Sequence, residues 1–192
     1  MKLVHTFAAA LLAVTASVGA ASAGTFAATS IYDVVPGDRG EADANRDTES
    51  AALGFADGEF YSLGLGGAAT FGFGRTFPLA NAVNLFEITF GSTDNIDSYL
   101  ERVEVFALLG GTETSIGTLT NLQAQGGASL SYGGAFDALR LVDTTPLSSP
   151  SFDGFDVDAV TVVSPVPLPA AGMMLLAGLG GFGAMRRRKK TA

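Results

Sequence analysis

The feature that most constrains this chain is a series of short runs in which apolar and polar residues alternate, each bounded by turn-forming residues. LFEITF, residues 85–90, places Phe86, Ile88 and Phe90 on one face and Glu87 and Thr89 on the other, the period-2 pattern of a half-buried strand. ERVEVFALL, TSIGTL, FDALRLV and FDVDAVTVV read the same way, rich in β-branched or aromatic residues and flanked by Gly, Asn, Asp or Pro. No stretch of residues 24–165 carries a helical stripe with caps. Several short strands at this spacing predict an all-β domain of the sandwich type, in which two sheets bury alternate residues between them. Residues 33–50, which include VPGDRGEADANRDTES, are too polar and turn-rich for a core strand and are expected to form an exposed loop, as is TTPLSSPS.

The two ends of the chain do not belong to that pattern. MKLVHTFAAALLAVTASVGAASA opens with a lysine at position 2, runs apolar from Phe7 to Val18 and finishes with Ala21 and Ala23 around Ser22, the small-residue site of a secretory leader. Residues 1–23 therefore read as a signal helix removed by signal peptidase after Ala23. His5 and Lys2 leave with it, so residues 24–165 contain no His, Lys, Cys or Trp. They hold nineteen acidic side chains against five arginines, a formal charge of −14. Such a balance repels nucleic acid and anionic membranes and suits divalent cations or a hydrated matrix. Without cysteine no disulfide framework is available, and about 140 residues suffice for one core.

Residues 166–192 have three parts in fixed order. Val166, Pro167, Leu168, Pro169 and Ala170 form a proline motif in which the prolines hold the backbone extended and keep a following helix from propagating backwards. Residues 170–185 carry no charge and would span roughly 24 Å as a transmembrane helix, against a bilayer core of about 30 Å. Arg186, Arg187, Arg188, Lys189 and Lys190 then form a stop-transfer cluster that stays cytoplasmic. A permanent anchor is the alternative reading, with Ala177 and Gly181 as a small-residue pair for helix packing. Against it stand the shortness of the segment and its many glycines.

The order VPLPA, apolar segment, basic cluster closely resembles the VPLPA variant of the PEP-CTERM sorting signal. That resemblance implies cleavage near the proline motif by an exosortase-type membrane transpeptidase, after a transient stage in the inner membrane, and delivery to the cell surface or beyond. AALGFADGEFYSLGLGGAATFGFG, RVEVFALLGGTETSIGTLTN and FDGFDVDAVTVV together resemble the surface domain that often precedes such a tail, which is similar in turn to discoidin-like galactose-binding jelly rolls. The implied organisation is a jelly-roll-like β-sandwich over residues 24–165, flanked by the signal helix and the transmembrane helix. A sugar-binding member of that group usually shows an aromatic platform with Arg, His or Asn beside it, and here Trp is absent and His5 lies in the leader.

Catalysis finds little in the composition. No Ser-His or Cys-His system is possible in residues 24–165, and zinc lacks its usual His and Cys ligands. Asp156 and Asp158 share a strand face, which reads as solvated rather than as a catalytic pair. The chain is therefore expected not to be an enzyme. The jelly-roll resemblance implies a calcium ion pinning an early loop to the last strand, with Asp57 of the ADG turn and Asp158 as ligands and backbone carbonyls completing the shell. Asp43, Asn45 and Asp47 repeat the opening of an EF-hand loop, but Thr48 stands where glycine belongs and Gly54 replaces the terminal glutamate. Two functions remain: a structural or adhesive component of the cell surface acting with exopolysaccharide, or a calcium-dependent carbohydrate-binding module. Stacking residues decide between them, and the candidates are Tyr32, Tyr61, Tyr99 and Tyr132.

Overall fold

The computed structural model of the chain describes residues 22–40, 46–78, 82–90 and 100–166. Gly24–Ser164 form one compact unit. Among the described residues ten strands build it, in two sheets that face each other as a β-sandwich. β1 (Ser22–Ala27), β3 (Tyr61–Ser62), β5 (Ala82–Glu87), β8 (Ala128–Leu130) and β10 (Asp156–Val166) make one sheet in the order β1-β10-β5-β8, with β3 on the flank of β10. β2 (Ser30–Val35), β4 (Ala68–Phe77), β6 (Arg102–Leu109), β7 (Thr112–Thr120) and β9 (Phe136–Asp143) make the other, in the order β2-β4-β9-β6-β7. A single helical turn, Asn121–Ala124, follows β7, and Glu49–Ala52 form a 3-10 turn.

Period-2 alternation selects which side chains enter the sandwich. Val83 and Leu85 of β5, Val103, Val105 and Ala107 of β6, Leu139 and Leu141 of β9, and Val160 and Val162 of β10 are all buried. Ala69, Phe71 and Phe73 of β4 add the central row, and the register Phe71↔Leu139 and Val105↔Leu141 sets these rows side by side. At one end of the sandwich the rows run into aromatics: Phe77 packs 5.1 Å from Phe136 and 5.5 Å from Phe26, ring centre to ring centre. Burying such a side chain fully is worth about 1.5–3 kcal/mol. Arg75 covers this cluster, its guanidinium 4.0 Å from the Phe26 ring centre.

Three expectations change. β5 stops at Glu87, and its buried face is that of Val83, Leu85 and Glu87, while Phe86 is half-buried. The alternation is present but turned over, because the row facing the opposite sheet continues from Val83 and Leu85 into the glutamate. Residues 33–35 belong to β2, which pairs with β4 through Val35↔Ala68, so the loop starts later than residue 33. Asp156 and Asp158 are buried, not solvated: Asp156 lies opposite Ser62 of β3, and a bulge between Val157 and Ala159 turns Asp158 out of the core row of Val157, Val160 and Val162 and against the turn at Asp57. At the termini, β1 begins at Ser22, just before the expected cleavage point, and β10 reaches Val166, the first residue of the proline motif. The rest of the signal peptide, Pro167 to Ala170 of the motif, the transmembrane segment and the basic cluster lie outside the described residues.

The SLGLGG stretch has a packing reason. Gly64 and Gly67 lie directly against Gly37: a Cβ on Gly67 would stand 1.9 Å from the Leu63 carbonyl oxygen and 2.6 Å from the Gly37 nitrogen. Only glycine permits two backbones to approach this closely.

Candidate functional site

At the end of the sandwich opposite Phe77 and Phe136, the inward rows of three strands finish in carboxylates. Leu139 and Leu141 are followed by Asp143, Val83 and Leu85 by Glu87, while Glu101 precedes Val103. All are buried, together with Asp153, Asp156 and Asp158. A buried carboxylate must find donors, a cation or a proton.

Asp143 finds donors. Its Oδ1 accepts the N–H of Gly66 at 2.9 Å and of Thr145 at 3.2 Å, and its Oδ2 accepts the Thr145 hydroxyl at 2.7 Å and the Phe155 N–H at 3.0 Å. Asp153 finds a cation, pairing with Arg46 while the Ser62 hydroxyl reaches it at 3.1 Å. Asp156 accepts a short hydrogen bond from that same hydroxyl, and burial, reinforced by Asp153, pushes its pKa up to about 8. Glu87, 1% exposed, accepts from the Thr89 hydroxyl at 2.5 Å through Oε2, while Oε1 has no donor among the described residues. The group beside it is another carboxyl, Glu101, which accepts from Ser151 Oγ at 2.8 Å. Burial is the first cause that raises both, Glu87 to about 9 and Glu101 to about 7.

Above this layer lies an aromatic platform. Phe60 and Phe90 lean on each other with ring centres 5.3 Å apart, and the Arg46 guanidinium sits 4.6 Å from the centre of Phe90 and 5.6 Å from that of Phe60. Arg46 thus joins the platform to Asp153 beneath. Thr48, Ala51, Gly58, Glu59 and Phe60 line an open groove of 390 Å³ along one side, within the range of about 300–1,000 Å³ that small-molecule sites occupy. Phe152, the neighbour of Asp153, is 63% exposed, and Phe55 and Phe90 are also exposed. Flat apolar rings beside a fixed guanidinium and a polar-edged groove can stack a pyranose ring and hydrogen-bond its hydroxyls.

The residues singled out by sequence fall in different places. Asp57 and Asp158 do meet, across a hundred residues of chain. Asp158 Oδ1 accepts the N–H of Asp57 at 3.1 Å and lies 3.4 Å from the N–H of Gly58, and Asp57 Oδ1 turns to the N–H of Glu59 at 3.0 Å. Gly58 takes the left-handed conformation, φ +89°, that this turn requires. The positive ends of two N–H dipoles point at the oxygen proposed to hold calcium, and among the described residues no group of three acidic side chains is arranged to hold a metal ion. In the structure these hydrogen bonds fasten the turn to β10. Among the tyrosines, Tyr61 is core, its hydroxyl taking a hydrogen bond from Arg39 at 2.8 Å. Tyr132 packs beside Phe136, and Tyr32 is exposed on the edge strand β2. Tyr99, Asp43 and Asn45 lie outside the described residues, and Asp47 is a described but exposed residue. The platform phenylalanines escape a sequence search because phenylalanine is ordinarily core.

No known family profile matches the chain, and no curated protein matches it by sequence. Solved structures match by shape. The family 32 carbohydrate-binding module of EndoD from Streptococcus pneumoniae superposes with a TM-score of 0.50 at 10% identity, over 72% of this chain and 94% of that one. The family 32 module of AlyQ, in complex with 4,5-unsaturated mannuronic acid, gives 0.48 at 17% identity over 72% and 97%. The module of NanJ from Clostridium perfringens, in complex with galactose, gives 0.43 at 10% identity over 73% and 100%. At these identities the likeness is one of fold, and the fold is the discoidin-like β-sandwich of the family 32 modules.

Proposed function

We propose that this chain is an exported carbohydrate-binding module of the cell surface, without catalytic activity of its own, that engages a surface or extracellular polysaccharide. The observation that carries this reading is the Phe60, Phe90 and Arg46 platform with its groove, set at the loop end of a sandwich whose shape matches carbohydrate-binding modules. It moves the balance from a purely structural role to binding. The acidic side chains at this end are buried in the fold rather than displayed across a cleft, which supports binding without hydrolysis. The turn that carries Glu59 and Phe60 is held by Asp158, which supports a groove that forms without calcium.

Export through the leader and processing at the VPLPA motif by an exosortase-type enzyme complete the proposal. They rest on the sequence of residues 1–23 and 166–192. The test has two arms. A glycan array probed with the mature chain is expected to give a defined set of hits that Phe60→Ala and Phe90→Ala weaken by about tenfold or more, as the loss of a stacking ring implies. Hits that survive both substitutions would place binding elsewhere. Mass spectrometry of the surface fraction is expected to find a chain starting at Gly24 and lacking Arg186 to Lys190, whereas an intact tail would make it a plain anchor.

A further inference from the structure

We infer that Glu87 and Glu101 share a proton, and that this proton fastens together the two segments that carry Phe90 and Phe152, so that the platform is assembled in the protonated state of the pair. The inference rests on the platform reading and adds its regulation.

The geometry begins with an oxygen that has nothing to accept. Glu87 Oε1 is buried, no N–H or O–H of the described residues reaches it, and the Glu101 carboxyl lies within hydrogen-bonding reach of the Glu87 carboxyl. Two carboxylates facing each other out of water repel; one proton between them converts the repulsion into a hydrogen bond and supplies the missing donor. The other charged groups around the pair favour the same answer. Asp156 of β10 acts on both glutamates, and Asp153 and Asp143 act on Glu101, all of them negative. The nearby cation, Arg46, is engaged by Asp153. Each glutamate also holds one segment at the platform, Glu87 the one that carries Phe90 and Glu101 the one whose Asp153 pairs with Arg46. Glu87 Oε2 takes the hydroxyl proton of Thr89, the residue before Phe90. Glu101 Oε1 takes that of Ser151, the residue before Phe152, and Ser151 Oγ in turn accepts the Gly154 N–H at 3.0 Å. The exit of β5 and the loop between β9 and β10 therefore meet through the two carboxyls.

The direction of the pH effect follows. Folding raises the pKa of Glu87 from 4.5 to about 9 and that of Glu101 to about 7, so the folded chain binds more protons than the unfolded one across that interval. Stability from the pair is complete below pH 4.5 and is lost as pH rises through the raised values.

The test compares the full-length wild-type chain with Glu87→Gln, whose amide imitates the protonated acid and brings its own N–H donor. Melting temperatures recorded from pH 5 to pH 9.5 should coincide for the two chains at pH 5. They should diverge as pH rises, with Glu87→Gln higher by about 4 °C or more at pH 9. Parallel profiles would overturn the shared proton. A measurement that needs no variant to fold is the infrared carbonyl band of a protonated carboxylic acid, expected in the wild-type chain at pH 7; its absence would likewise overturn it. The link to the platform is read by fluorine NMR on chains labelled at phenylalanine. The Phe90 and Phe152 signals should shift together with pH in the wild type, and the Phe90 signal should shift less in Glu87→Gln; signals that ignore pH in the wild type would overturn the link. A chain that passes these tests but binds no sugar on the array loses the carbohydrate reading and keeps the proton bridge.

Discussion

The two ends of the sandwich are built from the same strands and closed by opposite chemistry. At one end Phe26, Phe77 and Phe136 interlock and Arg75 lies over them. At the other, Asp143, Glu87 and Glu101 occupy the equivalent inward positions. An aromatic end needs shape alone, since its rings have no unmet polar demand. An acidic end holds only if every oxygen is answered, and each of its carboxyls is answered differently. Asp143 lies at turns, where backbone N–H groups are not committed to a sheet ladder, and collects them from Gly66, Thr145 and Phe155. Glu87 ends a strand between two neighbours in its sheet, where the N–H groups are already paired, and meets another acid instead. The difference lies in donor supply rather than in residue type, and a mobile proton fills the gap where donors fail.

This contrast is broken most severely at the aromatic end. Phe136→Ala removes a fully buried ring that touches Phe77 and Tyr132 and should cost about 3–5 kcal/mol, independent of pH. Asp143→Ala should follow at about 3 kcal/mol, because three N–H groups and the Thr145 hydroxyl lose their acceptor together. Urea denaturation at pH 5 and pH 8 measures both. If Asp143→Ala costs less than Glu87→Gln at pH 5, donor supply is not what separates the two acids.

Much of the sandwich was legible beforehand, because alternation is a property of the strand itself. FDALRLV and ERVEVFALL mark β9 and β6 within one or two residues. The acidic end was half legible: Val83, Leu85 and Glu87 share a face, as do Glu101, Val103 and Val105, so apolar rows visibly run into acids. What alternation does not say is that all these rows stop at the same end, since that depends on which strands run antiparallel to which. The reading of LFEITF put weight on its phenylalanines, yet the row that faces the core includes the glutamate. The platform was illegible for a related reason. Phe60 and Phe90 lie in different segments beside a loop arginine, and only the folded chain brings Arg46 onto both rings. The jelly-roll resemblance set Asp57 against Asp158, and in the fold the two segments meet through N–H contacts to Asp158.

That contact offers the smallest effect. The ADG turn sits at the rim, and Asp158 answers two N–H groups that water also reaches once the carboxylate is gone. Asp158→Ala should therefore cost about 1 kcal/mol, and Asp158→Asn, which keeps an acceptor oxygen, less than that. Phe60 follows the turn by two residues, so Asp158→Ala should also loosen the platform and weaken glycan binding several-fold. If a cation held this turn, melting would depend on it: an ion that binds the folded state alone stabilises by about 2.7 kcal/mol at a hundredfold excess over its dissociation constant. A hydrogen-bonded turn predicts otherwise. Melts in EDTA and in millimolar calcium at matched ionic strength should agree, and both should rise equally when sodium chloride screens a domain of charge −14. A calcium-specific rise that vanishes in Asp57→Ala and in Asp158→Ala would restore the ion and leave the two N–H contacts as its supporting shell.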